Sequence, residues 1–162
     1  MPISEPGRLW QGEPPSPAAT PRLYGGVTVR RTLAYLVDVF VIAVLGLALG
    51  FALSILGLLS FGLLTPVGVI VMALWPLAYH SYFLAARGAT PGMGLFDLEL
   101  RDWRGGPVDP LQAVLAVLLF YVTVSLTAWL VLVVVLLNER GRALHDILAS
   151  TLMVRRGQRP AA

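Results

Sequence analysis

The chain has 162 residues, 57% of them hydrophobic and 13% charged, about half the charged share of an average soluble domain. Its net charge of +3 comes from twelve arginines and no lysine. Cysteine is absent, which excludes disulfides and thiolate metal sites, and no basic patch interleaved with aromatics points to nucleic acid.

The first 27 residues are polar, carry six prolines and lack the apolar core of a signal peptide. Such a stretch buries too little surface to offset its ordering entropy, so it reads as a flexible Pro-rich tail. The membrane domain follows over residues 28–156, and residues 157–162 form a C-terminal tail.

From Val39 to Ala86 there is no Asp, Glu, Lys or Arg, and from Leu111 to Asn138 there is again none. Runs of this length predict membrane spans. The first covers about Leu33 to Gly57, behind Arg30 and Arg31. The second covers about Leu63 to Ala86, with Pro66 near its start, Pro76 inside it, and Arg87, Gly88 and Pro91 as stop signals. Next, Phe96, Leu98 and Leu100 alternate with Asp97, Glu99 and Arg101, the two-residue period of a strand, and "WRGG" supplies a turn. A weaker partner strand lies in "STLMVRR". The fold class is therefore an all-α integral membrane protein, a small helical bundle with three apolar segments and a short cytoplasmic β-like pair.

The third segment, about Leu111 to Leu137, poses a topology question. The positive-inside rule puts Arg22, Arg30, Arg31, Arg87, Arg101 and Arg104 in the cytoplasm, and the C-terminal arginines ask for the same side. One crossing would separate them. A broken, re-entrant hairpin bending around Thr123 to Ala128 reconciles the charges, and strand pairing favours it over a plain span.

Asp38 stands within the first span, where a charge costs roughly 2.5–3.5 kcal/mol on insertion scales and so demands a partner. His80, seven residues before Arg87 on an antiparallel helix, sits at similar depth and is the partner that helix arithmetic selects. The pair reads either as a hydrogen bond locking two helices or as a proton or cation relay. Near the C-terminus, "NERGRALHDILAS" predicts a short amphipathic helix, with Arg31, Arg142, His145 and Asp146 as a cytoplasmic clasp. A metal site at His145 and Asp146 lacks a third ligand. Gly46, Gly50 and Ser54 recur every four residues, a small-residue stripe that suits intramolecular packing and dimerisation alike. Trp75, Tyr82 and Trp129 read as packing or interface aromatics.

"RTLAYLVD", "GATPGMGLFDLELRDWRGGPVD" and "GRALHDILASTLMV", in that order and spacing, resemble the RDD family of bacterial membrane proteins. Arg31, Asp38 and Asp146 match the arginine and two aspartates for which the family is named. Met93 and Ala116 depart from it, standing where relatives often have lysine and arginine. The resemblance implies a bacterial membrane protein for which transport is the activity usually suspected; with the arginine distribution, the expectation is a multi-pass inner-membrane protein with a cytoplasmic N-terminus. The small size and the scarcity of buried ionisable groups favour an accessory or scaffold subunit that packs with itself or another membrane complex. The alternative is a small transporter or cation/proton exchanger using Asp38 and His80. No nucleophile–base pair, metal triad or phosphate-cradling loop marks an enzyme, and no cofactor is expected; the lipid bilayer is the one partner the composition demands.

Overall fold

A computed structural model describes residues 8–127 and 144–157. After a four-residue turn of helix, α1 (Pro21–Tyr24), the chain enters α2 (Val27–Leu59) through Gly26 in the left-handed region. Thirty-three residues make α2 about 50 Å long. A tight turn leads to α3 (Thr65–Arg87), which holds Pro76 in its interior and ends at Gly88. Both α2 and α3 are long and apolar enough to cross a membrane. A single turn, α4 (Pro91–Leu95), then leads to β1 (Leu98–Asp102), α5 (Pro110–Thr127), α6 (Leu144–Leu148) and β2 (Thr151–Arg155).

Small residues bring α2 and α3 together. Trp75 lies over Gly46, where a Cβ would come within 3.3 Å of its Nε1, and Met72 lies against Gly50. The Trp75 indole donates to the Ile42 carbonyl at 3.1 Å. Ser54 is exposed and donates back to the Gly50 carbonyl. The two glycines of the stripe are thus spent inside the molecule. Tyr82 points outward, and Trp129 lies outside the described residues.

β1 and β2 pair antiparallel, with Leu100 opposite Met153 and Asp102 opposite Thr151. The turn at Asp97, with φ of 54°, delays the strand to Leu98. Both faces of this small sheet are covered. Leu98, Leu100 and Met153 face the helices with Leu84, Ala113 and Val117, while Leu152 and Val154 face Trp10 and Leu23. The segment expected as a free tail is therefore anchored to the sheet by Leu9, Trp10 and Leu23. Leu9 donates its amide to the Gly105 carbonyl, and the Trp10 indole donates to the Trp103 carbonyl. Gly105, at φ +83°, admits the Trp10 backbone where any Cβ would sit 2.7 Å from it. The reason is hydrophobic: left uncovered, Leu152 and Val154 would lie in water.

α3 packs against α2 on one side and α5 on the other. α5 starts where β1, β2 and α6 meet, because Gln112 donates to the Asp102 side chain at 3.0 Å and the Ala149 carbonyl at 2.9 Å. The described residues on either side of the third apolar segment, Asp109 before it and Leu144 after it, therefore lie at one end of the bundle, the end that carries Arg30, Arg31, Arg101, Arg155 and Arg156. Residues Thr123 to Thr127 are helical, so the break expected there is absent from that stretch; Ala128 lies outside the described residues.

Candidate functional site

Two polar constellations occupy the basic end. The first is built around Asp38, which is 2% exposed. Its Oδ1 accepts from the Tyr79 hydroxyl at 3.0 Å and the Gly92 amide at 2.9 Å, and its Oδ2 accepts from the Thr90 hydroxyl at 2.5 Å. "TPG" explains this arrangement locally. Thr90 is the N-cap of α4 and accepts from the Met93 amide, Pro91 starts the helix, and the Gly92 amide is then an orphan donor at a helix start. Asp38 supplies the acceptor. Gly92 is also the only side-chain size that fits, since a Cβ there would fall 2.2 Å from the Ala34 carbonyl oxygen and 2.8 Å from Asp38 Oδ2.

The Asp38–His80 pairing expected from helix depth is not formed. No hydrogen bond joins them. Tyr79, one residue earlier and about 100° around the helix, takes the place beside Asp38. His80 instead sets Nδ1 3.0 Å from the Pro76 carbonyl oxygen and 3.1 Å from the Tyr121 hydroxyl. A carbonyl only accepts, so Nδ1 carries a proton, and the tautomer that fits this contact leaves the lone pair on Nε2.

The second constellation joins the start of α2 to α6. Arg31 Nη1 and Nη2 donate to Asp146 Oδ2 and Oδ1 at 2.5 and 2.8 Å, a two-pronged pair. Nη2 also lies 2.8 Å from His145 Nε2, which must therefore be the accepting nitrogen. Asp146 is 1% exposed and His145 4%. Arg31, His145 and Asp146 are thus brought together as expected, whereas Arg142 lies outside the described residues. Among the described residues, no three His, Asp or Glu side chains gather where they could hold a metal ion.

Burial pushes the His145 imidazole down to about 4 from its usual 6.5; the neighbouring Asp146 carboxylate opposes this and the Arg31 guanidinium adds to it. The folded ring stays neutral where the unfolded one is protonated. Stability contributed at this position is therefore complete above about pH 6.5 and falls as pH drops towards 4. The expected loss is about 1 kcal/mol by pH 5.5. Unfolding in detergent at pH 7.5 and 5.5 checks this: His145→Gln, which cannot titrate, should show a smaller decrease than the native chain, and equal decreases would refute it.

Between the constellations lies a cavity of about 330 Å³ at the basic end, walled by α2 and α5 with His80 and Leu84 of α3 behind. Met93 and Ala116 both line it.

Helix arithmetic missed Tyr79, Thr90 and Gly92. The available signal was "ATPG", an N-cap followed by proline and a glycine whose amide needs an acceptor. No curated protein and no solved structure matches this chain. The model of the RDD family matches residues 26–150, spanning α2 through α6 and every group of both constellations. The chain belongs to the RDD family.

Proposed function

We propose that this RDD protein is a small accessory or scaffold subunit of the bacterial cytoplasmic membrane, multi-pass, packing with itself or with another membrane complex. One observation carries the reading: the charged side chains Asp38, Arg31 and Asp146 are engaged within the molecule. Asp38 accepts three hydrogen bonds and Arg31 spends both terminal nitrogens on Asp146 and His145. Groups so engaged brace a structure, whereas a relay needs groups that exchange partners. A partner meets the large outward side chains Phe40, Leu47 and Phe51 of α2, since Gly46 and Gly50 are already packed on α3.

The alternative, a cation or proton exchanger, draws support from the cavity lined by both Asp38 and His80. Flux through liposomes holding the purified chain separates the two. The scaffold reading expects proton, sodium and potassium flux no greater than that of empty liposomes, and a stable oligomer or complex in mild detergent. Flux that Asp38→Asn abolishes would replace it with the exchanger.

The basic end faces the cytoplasm in this proposal, in keeping with the excess of positive charge on that side of membrane proteins. Both termini are then cytoplasmic and the third apolar segment is re-entrant. An alkaline phosphatase fused to the C-terminus is expected to stay inactive; an active fusion would mean that the third segment crosses once.

A further inference from the structure

We propose that the cavity at the basic end binds a single-chain primary ammonium amphiphile, its head at His80 and its tail along α5. The His80 side chain lines the cavity and the residue is only 7% exposed. Its Nδ1 edge is held by Pro76 and Tyr121, which leaves Nε2 on the opposite edge with no partner among the described residues. A ring nitrogen that opens on the cavity without a protein partner can accept from a ligand's donor.

Charge selects the kind of donor. The formally charged side chains lining the cavity are Asp38, Asp146 and Arg31, an excess of one carboxylate. The Arg31 terminal nitrogens are taken up by Asp146 and His145, so an anionic head would meet a net like charge. A cationic head meets the opposite. The rings of Tyr35 and Phe120, 5.5 Å apart, add aromatic faces on which an ammonium group is stabilised. Ala116, Val117 and Val124 of α5 give the apolar wall for a tail. The volume of about 330 Å³, at about 30 Å³ per water-sized group, holds roughly ten heavy atoms. That matches one short chain.

The test uses the full chain in phosphatidylcholine nanodiscs, with n-octylammonium, n-octanol and n-octyl sulfate as probes that differ only in the head. Calorimetric titration against empty nanodiscs should show one saturable site, with octylammonium at least about tenfold tighter than octanol and octyl sulfate weaker still. His80→Phe removes the acceptor and Val124→Trp fills the space; at least one of them should remain folded and lower octylammonium affinity about fivefold or more. Unsaturable partitioning, equal affinity for the three heads, preference for the sulfate, or native affinity in a folded variant would each overturn the proposal.

Discussion

Replacing Asp38 by alanine is expected to cost about 3–5 kcal/mol of unfolding free energy, from three buried donors stranded at about 1–3 kcal/mol each. The loss exceeds that of three ordinary hydrogen bonds because the donors do not go with it. The Tyr79 hydroxyl, the Thr90 hydroxyl and the Gly92 amide would remain buried, each without its acceptor. Asp38→Asn should cost only about 1–2 kcal/mol. Its carbonyl oxygen can still accept from Gly92 and Tyr79, and its amide can donate to Thr90 once that hydroxyl turns. The order alanine worse than asparagine, read from thermal or denaturant unfolding in detergent, is the expected result. Equal, small losses would show that Asp38 does not hold α4 to α2.

The second large effect lies in the Arg31–Asp146 pair. Arg31→Ala and Asp146→Ala are each expected to cost about 3–5 kcal/mol, because each leaves its partner buried without an opposite charge. The double variant should lose less than the sum of the two, by about 1–3 kcal/mol, since the second truncation removes a group that the first had already stranded. Arg31→Lys should behave more like a loss than a conservative change. A single ammonium cannot reproduce the two parallel bonds to Asp146 while also reaching His145. Strict additivity in the same unfolding assay would mean that the two side chains act independently.

These effects show which parts of the molecule can be read along the chain. The apolar runs fix α2 and α3, the Gly88 stop and the "WRGG" turn fall where local chemistry puts them, and alternation finds both strands. Arg31 and Asp146 stand out because a charge at a membrane boundary and an acid on a short amphipathic helix both need a partner. The need of Asp38 for a partner is equally visible, but its partners are not. Depth along two antiparallel helices ranks His80 first, yet rotation about the helix decides the contact and gives it to Tyr79. Thr90 and Gly92 come after a chain reversal, and their position depends on how α4 folds back against α2.

The packed N-terminal segment was hidden for a similar reason. Its six prolines and polar composition argue for a free tail, whereas two side chains, Trp10 and Leu23, decide otherwise once Leu152 and Val154 present an uncovered sheet face. Composition averages over such anchors. The glycine stripe shows the converse: spacing marks a close helix contact, and only the position of Trp75 and Met72 tells which helix makes it.

Amide NMR at Gly92 most directly tests whether the membrane-embedded acid serves as the cap that closes the basic end. In the native protein its proton should resonate downfield and exchange slowly with solvent, as befits a donor to a buried carboxylate. Protection should persist in Asp38→Asn and vanish in a still-folded Asp38→Ala. Exchange at Gly92 as fast as at an open loop glycine such as Gly106, in the native protein, would contradict the account.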